Sequence, residues 1–284
     1  GKPDELKKET IEQRNVVRQA AREEWKEAIE EGDLEKAQRK ARESTKLTAS
    51  EIESAKKLLS LLGLPVIDAP AEGEAQASYI VSRGDAWAVA SQDYDVLLFG
   101  APRLIRNLAI SGRRRLPRSN VYVDVAIEYV ELDKVLAAVQ FTREELIDAA
   151  LLMGTDYNEG YRGIGPKTAI RLIKEHKTFE NAAKQKGLLI PPNLEQIRTL
   201  FARPPVSSDY RIEFSPPDVD GILSFLVGEH DFTEDGVKSA LEKIISPGAA
   251  GKGDRLKRKK QHGYSGSETG GKDTEKQSQL DSFF

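Results

Sequence analysis

The sequence contains no cysteine, so disulfides, thiolate metal sites and cysteine nucleophiles are excluded. With only three histidines among 284 residues, little is left for a histidine-rich zinc site. No apolar run approaches the ~18 residues that a membrane span requires, and no basic-then-apolar leader opens the sequence, which points away from membrane and secreted classes. A strong charge of either sign is also missing: 43 basic and 46 acidic side chains give −3 overall. The balance is uneven along the chain, however. From Gly248 onward there are 8 basic and 5 acidic residues, so the tail is basic and the preceding body acidic. The distribution keeps nucleic acid open as a partner where the sum argues against it. Carboxylates and bases are what remain for chemistry.

Residues 3–58 are rich in Glu, Lys, Arg, Gln and Ala, and helix is expected nearly throughout, broken at Gly32-Asp33 with Asp33 as N-cap. From Leu58 the texture changes to LLSLLGLPV. A helix is expected over 71–83, then short strands or strand-like pieces at 87–90, 96–99, 103–108 and 121–123. Apolar runs alternating with amphipathic helices indicate an α/β layered fold. Helices are expected at 132–139, 142–153, 166–176, 218–228 and 233–245. The Gly-, Lys- and Ser-rich stretch 248–276 has the composition of a disordered linker.

Acidic residues gather at three places: Glu72 and Glu74 at a helix start, Asp93 and Asp95 after the 87–90 strand, and Asp156 just past a helix. With so many acids, one Asp-x-Asp is weak evidence. Yet Asp93-Tyr94-Asp95 lies between two apolar runs, where unpaired charge is costly without a cation. Strand ends and nearby helix starts are where α/β active sites collect, and Mg²⁺ favours several carboxylate oxygens. Arg162-Gly163-Ile164-Gly165-Pro166-Lys167 lies between two helical segments. Its glycines permit a tight turn with uncovered backbone N–H groups, Pro166 suits the first helical turn, and Lys167 adds a cation. That combination suits a helix-hairpin-helix that binds a DNA phosphate without reading a base.

Lys7, Arg14, Arg18 and Arg22 share one helical face and could meet phosphates. Glu5, Glu12, Glu23 and Glu24 stand at spacings that could pair with them instead. At the end of the chain, Gln277, Leu280, Phe283 and Phe284 suit one tight helical turn that seats its apolar side chains in a partner's pocket.

Together these stretches resemble the flap endonuclease family of structure-specific 5′ nucleases, in its archaeal–eukaryotic branch. The resemblance runs through GLPVIDAPAEGEAQAS, SQDYDVLLFG, LLMGTDYNEGYRGIGPKTA, LFARPPV and FLVGEHDF. It implies an α/β 5′-nuclease (PIN-like) fold, a mixed sheet flanked by helices, with a helical arch, a helix-hairpin-helix region and a disordered C-terminal tail. The implied division is 1–58 arch and gateway, 59–130 internal nuclease core, 131–247 helical DNA-binding region, 248–276 basic linker and 277–284 a box that binds the sliding clamp (proliferating cell nuclear antigen). It assigns Glu72, Glu74, Asp93, Asp95 and Asp156 to two Mg²⁺ ions. Lys7 and Arg14 become the basic pair that stabilises the scissile phosphate, and Arg18 another arch-base arginine. Residues 3–47 would form the arch threaded by the 5′ single strand, and Gly163–Lys167 the hairpin holding the downstream duplex. The activity implied is two-metal hydrolysis of 5′ flaps, with 5′–3′ exonuclease action, in Okazaki fragment maturation and long-patch base excision repair.

Family members carry a preceding segment with two further metal-binding aspartates, so the chain is expected to be an N-terminally truncated fragment, nearly inactive and poorly folded by itself. A clamp-tethered, catalytically impaired DNA-binding fragment, or an exonuclease or excision-repair endonuclease of the same superfamily, are the rival readings. A monomer is expected, in the cytoplasm of an archaeal cell or the nucleus of a eukaryotic one.

Overall fold

The computed structural model describes residues 7–45, 47–109, 112–115 and 121–245. In chain order the elements are α1 (Lys8–Glu30), α2 (Leu34–Ser44), α3 (Ala49–Leu61), α4 (Gly73–Ser82), β1 (Val89–Ala90), α5 (Asp95–Leu98), β2 (Arg103–Arg106), β3 (Arg113–Arg115), β4 (Tyr122–Asp124), β5 (Glu128–Glu131), α6 (Leu132–Val139), α7 (Arg143–Met153), α8 (Pro166–His176), α9 (Phe179–Lys186), α10 (Leu194–Ala202), α11 (Val219–Leu223), a π-helical turn (Ser224–Gly228) and α12 (Glu234–Ile245). Among the described residues no helix is long and apolar enough to cross a membrane.

The chain divides into two compact units that interleave in sequence. Among the described residues, the first takes the leading residues to Lys40 and then Asp68–Ser208; the second takes Ala41–Ile67 and Asp209–Ile245.

The first unit holds a three-stranded mixed sheet in the order β1-β2-β5. β1 runs parallel to β2, Val89 opposite Leu104 and Ala90 opposite Ile105. β5 is antiparallel to β2, and the register sets Arg106 against Glu128. β3 and β4 form a separate antiparallel pair. The sheet packs on α5 and α7 through Val96, Leu97, Leu104, Leu151 and Leu152, all buried. α7 is surrounded, so Leu146 to Leu152 are all buried, and its first turn is closed by a capping box between Thr142 and Glu145. The core continues through α8 to α10, where Phe201 meets Phe99 at 5.1 Å and the edge of Tyr157 at 5.3 Å. Among the described residues the one charged side chain buried there, Asp148, accepts the Phe179 N–H at 2.8 Å and receives Arg198 Nε at 2.7 Å and a second guanidinium nitrogen at 2.9 Å. Arg198 also bonds Glu180 at 2.6 and 2.8 Å, so one residue of α10 ties α7 to α9.

The second unit is smaller. Ile222, Val237 and Leu241 are buried against Leu58, Leu61 and Leu62 of α3 and the following turn. Gly63 is fixed by close approach: a Cβ there would stand 1.9 Å from the Ser215 carbonyl oxygen, and its φ is +72°.

Several elements differ from the sequence expectation. The long leading helix breaks where expected, at Gly32-Asp33, with Asp33 capping Lys36 N at 2.9 Å, but it breaks again before Thr48, whose side chain and Glu51 form a second capping box. Val96–Phe99, expected as strand, instead forms the helical turn α5 and its C-cap residue Phe99, because the Asp93 carboxylate accepts the Asp95 N–H at 3.1 Å and starts a turn. The expected 87–90 strand shortens to Val89–Ala90, and β3, β5, α9 and α10 are additional. Residues 246–284, including the basic linker and Gln277, Leu280, Phe283 and Phe284, lie outside the described residues.

Candidate active site

Beyond the C-terminal end of β1, chain segments far apart in sequence bring their acids together. Glu72 is the N-cap residue of α4 and Glu74 lies in its first turn. Asp93 follows β1, and Asp95 opens α5. Asp156 sits in a tight turn after α7, where Thr155 and Asn158 form a β-bridge. That turn is braced from inside. Thr155 Oγ1 donates to Asn158 Oδ1 at 2.8 Å and accepts the Tyr157 N–H at 3.1 Å, while Asn158 Nδ2 donates to the Leu151 carbonyl at 2.8 Å. Gly154 supplies a φ of +105°, and Gly160 packs so closely that a Cβ would lie 1.8 Å from Met153 O.

The leading helix delivers cations to this cluster. Lys7 Nζ lies 3.1 Å from Glu72 and 3.3 Å from Asp156, and 4.8 Å from the Tyr157 ring centroid. Arg14, two turns along α1, donates to Asp156 at 2.6 Å. Their neighbour Gln13 approaches Glu159 at 3.5 Å. Burial opposes the charge of Lys7, but its bonds to Glu72 and Asp156 outweigh burial and hold its pKa above the ordinary lysine value. Asp95 shows the opposite balance. Burial first, then the negative charges of Asp93, Asp156 and Glu74, push its pKa up to about 7, with Lys7 offsetting part. These causes record the convergence of the five acids on one place.

Of the residues singled out in the sequence, Lys7, Arg14, Glu72, Glu74, Asp93, Asp95 and Asp156 come together. Arg18 and Arg22 lie further along α1 and hold none of these carboxylates among the described contacts. The glycine hairpin forms a separate feature: Gly163 has φ +84°, Gly165 caps α8 in extended conformation, and Pro166 takes the first turn. A Cβ at either glycine would meet nothing within 4 Å, so the hairpin backbone is open. Lys167 is exposed beside it. Sequence reasoning missed Ser91, whose hydroxyl accepts the Asp93 N–H at 3.1 Å and reaches Glu74 at 3.5 Å, and Tyr157 beneath Lys7. Both adjoin the acidic motifs, which was the available signal.

The donor set, oxygen-only and carboxylate-rich, suits a hard divalent cation. Among the described residues no group of three or more acids or histidines stands in coordinating geometry, and Lys7 and Arg14 occupy oxygens of Glu72 and Asp156.

The XPG I-region family model matches residues 63–156, the span that carries all five acids. A flap endonuclease 1 from Staphylothermus marinus is 52% identical over 247 residues, covering 86% of this chain and 71% of the relative. The chain belongs to the flap endonuclease family. A flap endonuclease 1 from Methanosarcina barkeri is 48% identical over 250 residues, with 87% and 74% of the two chains covered. The solved structure of flap endonuclease-1 from Methanococcus jannaschii superposes with TM-score 0.62 at 40% identity, over 76% of this chain and 64% of that one. The catalytic core of Rad2 in complex with DNA substrate shares the fold at TM-score 0.64 and 21% identity, over 86% of this chain and 76% of that one. Flap endonucleases are hydrolases of phosphodiester bonds, and the family is metal-dependent. The α/β nuclease fold expected from the sequence is thus the fold observed.

Proposed function

We propose that the chain is a Mg²⁺-dependent, structure-specific 5′ flap endonuclease with accompanying 5′–3′ exonuclease action, cutting DNA at single-strand/duplex junctions. The observation that carries the reading is the meeting of Lys7 and Arg14 with Asp156 inside a five-carboxylate cluster. Cations and carboxylates in one place suit a phosphodiester, which must be neutralised and attacked at the same point. Glu72, Glu74, Asp93, Asp95 and Asp156 would hold two Mg²⁺ ions, which supply Lewis acidity toward the phosphate when bound. Lys7, held charged by its acidic partners, would turn to the scissile phosphate and stabilise charge as it develops. Arg14, half-exposed on α1, would orient a phosphate oxygen beside it. The open backbone of Gly163 and Gly165, with Lys167, would hold the downstream duplex through its phosphates. The solved Rad2 core in complex with DNA substrate supports a DNA partner for this fold.

Finer assignments belong to the same proposal: the terminal Gln277, Leu280, Phe283 and Phe284 dock on the sliding clamp. The monomeric enzyme then works in Okazaki fragment maturation and long-patch base excision repair, in the cytoplasm of an archaeal cell, the curated relatives being archaeal. The test compares a 5′-flap duplex with single-stranded and blunt duplex DNA of the same sequence, with Mg²⁺ and with EDTA. Junction-specific, Mg²⁺-dependent incision is expected. Equal cutting of all three substrates, or cutting in EDTA, sinks the proposal. A second reading, a DNA-binding fragment of low activity, draws on the occupation of Glu72 and Asp156 by Lys7 and Arg14; tight flap binding with no incision at any Mg²⁺ concentration would favour it.

A further inference from the structure

The loop that carries Asp93 and Asp95 is held from the sheet by side chains outside the carboxylate cluster. Ser91 N donates to Ile105 O of β2 at 3.1 Å, the last rung between β2 and the chain leaving β1. The next residue of β2 is Arg106, and the antiparallel register places it opposite Glu128 of β5. The two form an ion pair at 2.6 Å, each with a side chain 21% exposed. From that position Arg106 Nε donates to the Gln92 carbonyl at 3.2 Å, and Nη1 donates to the Tyr94 hydroxyl. The guanidinium also lies 4.0 Å from the centroid of the Tyr94 ring. Tyr94 closes the triangle by donating its hydroxyl proton to Glu128 Oε1 at 2.8 Å. One guanidinium therefore grips residues 92 and 94, which alternate with the two aspartates, and the grip is anchored on an edge strand by a matched carboxylate.

We infer that Tyr94, Arg106 and Glu128 form a positioning clamp that fixes the Ser91–Asp95 loop and thereby sets the divalent-cation affinity of Asp93 and Asp95. The physical argument is pre-organisation. Asp93 and Asp95 repel one another, and a loop free to relax would part them and lose affinity for the ion that should join them. A planar guanidinium can hold the carbonyl, the hydroxyl and Glu128 at fixed angles, which an ammonium cannot do together. The ring face adds a further contact that fixes the Tyr94 side chain between the aspartates. None of the three side chains needs to touch DNA or metal. The inference rests on the metal-dependent reading of the carboxylate cluster.

The experiment uses the 284-residue chain with Tyr94→Phe and Arg106→Lys, and Mn²⁺ as the probe, its binding read by the loss of the free-ion paramagnetic signal. Tyr94→Phe keeps the ring and removes only the hydroxyl, so it should fold and unfold as the parent does in EDTA. Loss of such an outer partner weakens metal affinity about 10- to 100-fold. Arg106→Lys is expected toward the upper end, Tyr94→Phe toward the lower, with the Mg²⁺ concentration for half-maximal incision rising in parallel. A merely structural role would lower the urea midpoint and leave Mn²⁺ affinity alone, which overturns the clamp. If Arg106→Lys does not fold, Tyr94→Phe decides. Unchanged Mn²⁺ binding in a folded Tyr94→Phe overturns this proposal alone. A parent chain that binds no Mn²⁺ overturns the metal reading and this inference with it.

Discussion

Lys7 stands where two opposing demands meet. Partly buried and bonded to Glu72 and Asp156, it keeps its charge against desolvation, and the same charge offsets part of the repulsion around Asp95. A fixed cation beside a phosphate stabilises charge mainly as the bond breaks. Lys7→Ala is therefore expected to lower the single-turnover rate of flap incision by about 10²- to 10³-fold, as removal of a transition-state donor does elsewhere. Flap affinity, read by fluorescence anisotropy in Ca²⁺, should change by less than about threefold, because one of several phosphate contacts is lost. A full single-turnover rate in Lys7→Ala would refute the assigned role. At this scale the sequence was informative where chemistry is local. The acidic pairs and the helical face of Lys7 and Arg14 are visible in spacing, yet Glu5 and Glu12 offered equally good partners at helical intervals. Only the fold brings Asp156, from the end of α7, within 2.6 Å of Arg14. A pairing across so many residues has no signature in local periodicity. The same holds for Arg106, Glu128 and Tyr94, which meet through strand register.

The helices behind the site depend on one ion network as much as on their apolar faces. Arg198 satisfies both oxygens of buried Asp148 and both of Glu180, so removing it strands a carboxylate inside the first unit. Arg198→Leu is expected to cost about 3 kcal/mol or more in urea denaturation at pH 7, the range for breaking a buried pair. The pH dependence carries a sign. The hydrogen bond from Arg198, foremost, holds the Glu180 pKa below its ordinary value. Its contribution is therefore present above the unfolded carboxylate pKa and is lost as pH falls through the lowered folded value. Asp148 runs the other way, because burial, its largest influence, raises its pKa despite Arg198. In the variant, without the opposing pull of Arg198, Asp148 takes up a proton at still higher pH, which eases the burial penalty as pH falls. Both effects shrink the gap between parent and Arg198→Leu in acid, and a gap that widens from pH 7 to below pH 4 would contradict this account. The proposed helix-hairpin-helix at Gly163–Lys167 makes a different prediction. Lys167→Ala should weaken duplex binding alike for unrelated sequences and reduce the slope of log affinity against log salt by about 1. A sequence-selective loss would count against a phosphate contact. α6 and α8 fall at the expected residues, with Pro166 marking the start of α8. α5 was not, since Val-Leu-Leu-Phe is too short for periodicity to separate strand from helix. α9 and α10 carry boundary signals of their own, Thr178 as N-cap and Gly187 at φ +66° on the far side of α9, and the proline pair before α10.

At the scale of the whole molecule, the interleaving of the two units gives the cation question a direct readout. Every residue of the carboxylate cluster, with Lys7 and Arg14, belongs to the first unit, whereas α3, α11 and α12 build the second. A ligand stabilises only the part of a chain whose folded state it binds, by about 2.7 kcal/mol when present at about 100 times its dissociation constant. Saturating Mg²⁺ should then slow amide exchange in α4, α5 and α7 by about 100-fold where exchange proceeds through opening of that unit. α11 and α12 should exchange at the same rate with Mg²⁺ as with EDTA. The sign is fixed by charge: in EDTA Lys7 and Arg14 offset part of the acids' mutual repulsion, and a divalent ion adds positive charge where that repulsion is strongest. Protection confined to α11 and α12, or absent from both units, would remove the carboxylate cluster as the cation site. Equal protection of both would mean that the second unit answers to the ion too, against its assignment to the first alone. Mass spectrometry of peptides from each unit, with Ca²⁺ in place of Mg²⁺ as a non-catalytic control, separates these results without any need for DNA or for activity.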